Sequence, residues 1–195
     1  MVRDLSAELG KQIKLVTQGT ETELDKRIID SLKDPFLHIL RNAIDHGIEK
    51  EEERKLKNKP EYGTILLKAF YSGAEVHIQI CDDGKGIDID KVKQKALEKG
   101  LINATTKYTN KEIYDLIFLP GFSTSSVVTD ISGRGVGMDV VKRKIEEING
   151  TVELSSEKDK GTTITVKLPL SLSIIDTLLV RIADELFLIP LHLIE

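Results

Sequence analysis

The stretch that most constrains this chain is Asp34-Pro35-Phe36-Leu37-His38-Ile39-Leu40-Arg41-Asn42-Ala43-Ile44-Asp45-His46-Gly47. At about 100° per residue it reads as a helix with two unlike sides. Phe36, Leu37, Ile39, Leu40, Ala43 and Ile44 make one apolar side; His38, Arg41, Asn42 and Asp45 make the other, with His46 at its margin. His38, Asn42 and Asp45 stand at i, i+4 and i+7 and form a column. An ordinary solvated face would carry Lys and Glu. This one carries imidazoles, an amide and a carboxylate, which are ligand and hydrogen-bonding groups, so the helix is expected to border a site.

Bulk composition narrows the function classes. The chain has 195 residues, 40% of them hydrophobic and 31% charged, with a formal net charge of −4. Mixed signs and a small net charge give no electrostatic basis for binding nucleic acid or an anionic membrane. No apolar run reaches the length of a membrane span, and Met1–Gly10 lacks the apolar core of a signal peptide. The single cysteine, Cys81, excludes an intramolecular disulfide and fits a reducing compartment. As a small residue it is expected to face a helix or a ligand.

Periodicity supplies the other elements. Residues 1–10 read as the end of a helix with Val2, Leu5 and Leu9 on one side, and 11–18 as a strand. Thr22 is expected to cap a helix bearing Leu24, Ile28, Ile29 and Leu32. A separate helix is expected to start at Asp34-Pro35. Residues 49–61 read as a charged loop. Residues 64–72 and 75–81 read as a hairpin, and 88–99 as a helix capped by Asp88. The Thr109–Glu112 capping box opens a further helix. Residues 138–148 are helical, and 151–155 and 162–168 are strands. Residues 174–182 and 186–189 form a hairpin that begins a separate unit.

Two further stretches carry chemistry. Cys81-Asp82-Asp83-Gly84-Lys85-Gly86-Ile87 runs a strand into two carboxylates and two glycines. Asp82 can accept from a ligand amino group while Gly84 and Gly86 permit close approach. A long Ser/Thr/Gly-rich segment, 119–137, finishes Gly133-Arg134-Gly135-Val136-Gly137 and enters a helix, which makes an anion site. It has neither the dinucleotide-binding spacing nor a P-loop lysine.

Taken together these stretches resemble the ATP-binding fold shared by histidine kinases, type II topoisomerases, Hsp90 chaperones and mismatch-repair ATPases. The resemblance is closest to the chemotaxis histidine kinases of the CheA family. Residues 38–49 resemble their N box, 82–87 the first glycine box, 118–124 the phenylalanine box and start of the lid, and 132–141 the second glycine box. The implied fold is α+β: a two-layer α/β sandwich whose mixed, mainly antiparallel sheet carries three main helices on one face, the Bergerat fold. The implied domains are the end of a dimerisation helix (1–10), the catalytic domain (11–169) and the start of a CheW-like regulatory domain (170–195).

The implied activity is transfer of the γ-phosphoryl group of Mg·ATP to a histidine on a separate phosphotransfer domain. Asn42 would ligate Mg²⁺, with His38, Asp45 and His46 flanking metal and phosphates. Asp82 would accept from the adenine amino group. Gly133, Arg134, Gly135, Val136 and Gly137 would cradle the triphosphate, and Ser123 lies where the lid begins. Phe118 and Phe122 would anchor that lid. Ser125 and Ser126 stand where many relatives have a lysine, and Arg134 is the candidate replacement. The implied partners are the phosphotransfer domain, a CheW-like adaptor and a chemoreceptor. The implied setting is cytoplasmic, in a homodimer, with the fragment itself monomeric. Two alternatives stay open: an ATPase that uses ATP as a conformational clamp, and a non-catalytic adaptor that retains the fold.

Overall fold

Residues 2–122, 137–170, 177–182 and 185–190 are described in a computed structural model of the chain. In chain order its elements are α1 (Val2–Glu8), β1 (Ile13–Gln18), α2 (Lys26–Asn42), a π turn (Ala43–Gly47), α3 (Glu51–Leu56), β2 (Gly63–Ser72) and β3 (Glu75–Asp82). There follow α4 (Ile89–Glu98), α5 (Asn110–Asp115), a 3₁₀ turn (Leu116–Phe118), α6 (Met138–Glu146), β4 (Thr151–Glu157) and β5 (Gly161–Pro169). Last come β6 (Thr177–Ile182) and β7 (Glu185–Pro190).

Five strands form one sheet in the order β1-β2-β3-β5-β4; β6 and β7 form a separate two-stranded sheet. Only the β1–β2 pair of the larger sheet is parallel. Strand alternation sends Ile65, Val76, Ile78, Ile80, Leu154, Ile164, Val166 and Leu168 to one buried face. There they meet Ile28, Leu32, Ile39 and Leu40 of α2, Ile44 of the π turn, and Val141 and Ile145 of α6. Burying one such branched side chain contributes about 1.5–3 kcal/mol. A second, smaller cluster of Val92, Ala96, Ile102, Ile113 and Phe122 joins α4 to α5. The expected two-layer sandwich is therefore present.

Four local expectations are corrected. Residues 26–42 form one helix, with Pro35 inside it and buried. Proline removes one intrahelical bond, but Ile28, Leu32, Pro35 and Ile39 lie on a single stripe, and sheet packing carries the helix through. Its cap is Asp25, which accepts from the Arg27 N–H, and not Thr22. The charged loop expected at 49–61 contains α3, opened by Glu51, Glu52 and Glu53 and closed by Arg54 and Lys55, a charge order that suits the helix dipole. Cys81 falls opposite Leu66 and Thr163 on the face of the sheet away from the helices, because Ile80 and not Cys81 is in register with the buried set.

Candidate nucleotide site

The stretch 34–47 ends in an unusual turn. After Asn42 the helix widens, and the Ile48 N–H bonds to the carbonyl of Ala43 at 2.8 Å, an i→i−5 closure. Such single π turns concentrate at functional sites. Lys11 holds this one from outside. Its ammonium donates to the carbonyls of Ile44 (2.7 Å), Asp45 (2.6 Å) and Ile48 (2.8 Å). Burial lowers the pKa of Lys11, with Asp45 acting against that trend.

The π turn carries Gly47 onto the turn that follows β3. The Lys85 N–H donates to the Gly47 carbonyl at 2.9 Å. A methyl group at Gly84 would stand 2.1 Å from the Gly47 oxygen and 2.8 Å from Asp82 Oδ1. Gly86 has φ +67°, and a methyl group there would stand 2.2 Å from the Glu157 oxygen. What excludes side chains at these two glycines is protein backbone, so the first glycine box is docked on the N-box helix and on the β4–β5 turn.

Asp82 sits at the junction. Its Oδ1 accepts from the Gly84 N–H at 2.9 Å. Burial pushes its pKa up to about 6, even though backbone hydrogen bonds from Gly84 and Thr162 pull the other way. A half-buried carboxylate with spare acceptor capacity suits a ligand amino group.

A second group of residues lies toward α6. The Asn42 amide nitrogen donates to the Met138 sulfur at 3.3 Å. Among the described residues its carbonyl oxygen has no hydrogen-bond donor, so it is available to a ligand or a hard cation. Met138 is the first residue of α6, whose N-cap is Gly137, so Asn42 touches the helix that the second glycine box enters. Burial lowers the pKa of His38; Arg41 and His46 add to this and Asp139 opposes it. Its imidazole is therefore neutral at physiological pH. Asp45 and His46 are paired at 3.7 Å and stay solvent-accessible. Arg41, on the polar side of the helix, turns away to Glu8 of α1 at 3.7 Å.

The structure thus joins Asp82, Gly84 and Gly86 to Gly47 at one end of the π turn, and His38 and Asn42 to Met138 and Asp139 at the other. Phe118 and Phe122 are both buried, in the larger and the smaller core cluster respectively. Ser123, Ser125, Ser126, Gly133, Arg134, Gly135 and Val136 lie outside the described residues. Sequence reasoning missed Lys11, Met138 and the Glu49–Arg54 pair. None of the three had a local signal; the acid-to-base order of 51–55 marks a helix and not a buried pair.

Compared with known proteins, residues 31–172 match the family described as "Histidine kinase-, DNA gyrase B-, and HSP90-like ATPase". The chain is 53% identical over 193 residues to the sensor histidine kinase CheAY of Helicobacter pylori. It is 50% identical over 191 residues to the chemotaxis protein CheA of Treponema pallidum, and 49% over 193 to that of Bacillus subtilis. These alignments take in 98% of this chain but 24%, 24% and 29% of the relatives, so the chain spans about a quarter of their length.

Two solved structures are similar in fold. One is the blue-light activated histidine kinase EL346 of Erythrobacter litoralis (TM-score 0.52, 13% identity, 88% of this chain and 40% of that one). The other is the mycobacterial sensor histidine kinase MprB (TM-score 0.50, 16% identity, 86% and 90%). Because the family match runs through most of the chain and through both described ends of the π turn, the chain belongs to the histidine kinase-, DNA gyrase B- and HSP90-like ATPase family.

Proposed function

We propose that this chain is the ATP-binding catalytic domain of a chemotaxis protein-histidine kinase, which transfers the γ-phosphoryl group of Mg·ATP to a histidine on a separate phosphotransfer domain. The observation that carries the proposal is the docking of the Asp82–Gly86 turn onto Gly47, with the Asp82 carboxylate at one end of the π turn and Asn42 at the other. The 46–53% identity to chemotaxis kinases supports the same reading.

In this assignment Asp82 accepts from the adenine amino group. Asn42 offers its carbonyl oxygen to Mg²⁺, a cation that takes oxygen ligands and suits a site shared with phosphates. Bound there, Mg²⁺ neutralises phosphate charge. His38, Asp45 and His46 border the phosphates, with His38 neutral so that it donates or accepts without adding charge. The glycine run 133–137, with Arg134, and Ser123 complete the triphosphate cradle. Phosphoryl transfer asks the protein mainly to position groups and balance charge, and these residues supply both. Residues 1–10 are assigned to a dimerisation helix and 170–195 to the start of a CheW-like regulatory domain. The whole protein is assigned to a cytoplasmic, receptor-associated homodimer with a CheW-like adaptor. No helix among the described residues is long and apolar enough to cross a membrane.

The deciding experiment adds an isolated phosphotransfer domain and labelled ATP. Mg²⁺-dependent label on its histidine is expected. ATP binding and hydrolysis without transfer would instead establish a clamp-type ATPase, and no ATP binding would leave an adaptor.

The site also predicts a pH profile. Adenine recognition needs Asp82 ionised, and the free carboxyl titrates at about 6. ATP affinity measured by calorimetry at constant ionic strength is expected to fall below pH 6, approaching tenfold per unit. A profile that stays flat through that range would remove Asp82 from the recognition step.

A further inference from the structure

We infer that Arg54 is a positioning residue for base recognition, acting through the Asp83–Gly84 peptide unit on the orientation of Asp82. The inference rests on the reading that Asp82 accepts from the adenine amino group.

Arg54 and Glu49 are the two buried charged residues among those described, with side chains 1% and 0% exposed. A buried ion pair is weak evidence for stability, since well-packed apolar residues often serve as well. What this pair touches is more informative. Arg54 Nε donates to the Pro60 carbonyl at 2.7 Å, which fixes the guanidinium plane. Nη1 donates to Glu49 Oε2 at 3.2 Å and to the Asp83 carbonyl at 3.3 Å, and Nη2 to Asp83 Oδ2 at 2.9 Å. Asp83 Oδ1 accepts from the Thr64 N–H at 2.9 Å.

Lys59 joins the same cluster, donating to Glu49 Oε1 (3.0 Å), the Asp83 carbonyl (2.9 Å) and the Gly84 carbonyl (2.7 Å). Burial pushes the Glu49 pKa up, but hydrogen bonds from Lys59, from its own backbone and from Lys57 outweigh this and hold it below the ordinary range. Glu49 is therefore the anionic hub that keeps Arg54 and Lys59 in place.

The Asp83 carbonyl and the Gly84 N–H belong to one peptide unit, which is planar. Two cations grip the carbonyl end of that plane. Its N–H end donates to Asp82 Oδ1 at 2.9 Å. Any rotation that released the carbonyl from Arg54 and Lys59 would swing the N–H away from Asp82. The carboxylate that would meet the base is thus aimed by a rigid plane whose far edge is held by buried charge. Asp83, adjacent to Asp82 in sequence, serves as the handle and faces away from the site. Lysine cannot replace the grip fully, because the fork of Arg54 reaches a carboxylate and a carbonyl together.

The test uses Arg54→Met, Arg54→Lys and Asp83→Asn in the same chain, reading melting temperature and ATP affinity from pH 5 to 8. Arg54→Met is expected to weaken ATP binding about ten- to a hundredfold. It should also move the pH midpoint of binding upward, because Asp82 loses the Gly84 hydrogen bond and the nearby Asp83 charge loses its guanidinium partner, with Lys59 opposing. Arg54→Lys should restore part of both. Asp83→Asn stays readable if Arg54→Met does not fold, and should lower affinity alike.

Wild-type affinity and midpoint in folded Arg54→Met, or in Asp83→Asn where only that variant folds, would overturn the inference. So would a lowered melting temperature without either binding change. If wild-type chain binds ATP and Asp82→Asn binds it equally well, the base-recognition reading fails first, and that outcome is distinct from the others.

Discussion

Replacing Asp82 with asparagine is expected to abolish measurable adenine-dependent ATP binding while the chain stays folded. The amide oxygen of Asn can keep the Gly84 hydrogen bond, but its nitrogen then presents a donor where the adenine amino group is also a donor. The loss combines a charge-assisted hydrogen bond with an unsatisfied pair, each on the order of 1–3 kcal/mol, so affinity should drop by roughly two to three orders of magnitude. Stability should not fall with it. The folded pKa of about 6 lies above the unfolded value of 3.8, so ionised Asp82 opposes folding above pH 6. That opposition fades as pH drops from about 6 toward 4. Asparagine removes it at neutral pH. Calorimetry with ATP and a thermal melt on the same sample check both halves, and unchanged affinity would sink the assignment.

Asn42→Ala is expected to act on the other end of the site. ATP affinity in the presence of a chelator should stay near wild type, because Asp82 and the docked turn are untouched. The gain in affinity on adding Mg²⁺ should disappear, and transfer to a phosphotransfer domain should fall by about 10²–10³, the cost of losing one preorganised electrostatic contact. The Met138 contact is also lost, so helix α6 should be examined by hydrogen exchange in the same variant. Wild-type transfer rates in Asn42→Ala would overturn the metal role.

How much of this could be read without coordinates depended on the range of each interaction. The alternating face of β3 and the stripe through Ile28, Leu32 and Ile39 are short-period patterns, so the core faces of these elements were legible; the sandwich they build was implied by the family resemblance. The capping boundary was not. Thr22 and Asp25 both make chemically good caps, and the local sequence does not choose between them. Pro35 looked like a start because its local rule disfavours helix interiors, and burial against the sheet overrode that rule.

Asn42 and Asp82 stood out because their residue types are odd for where they sit. Lys11 did not, since its three carbonyl partners lie 33 to 37 residues away and a lysine after a helix is unremarkable. Arg54 was hidden for the opposite reason: it stands in a run of charges that reads as solvated, and nothing in the run says that one of them is buried.

The π turn has a consequence for how the site can vary. The five-residue turn Ala43–Gly47 carries the chain from Asn42 to Gly47, beside Asp82, and has one residue more than an α-helix would use. In the proposed assignment it is a spacer gauge between the phosphate end and the base end. Taking out one residue would restore ordinary helical winding and rotate everything beyond it by about 100°, so Gly47 would leave Asp82 even though His38, Asn42 and Asp82 were all kept. The phase of the backbone within the N box therefore sets how Asn42 and Asp82 stand to each other. Lys11, bound to the carbonyls of Ile44, Asp45 and Ile48, holds it from the connection between α1 and β1, which no box contains.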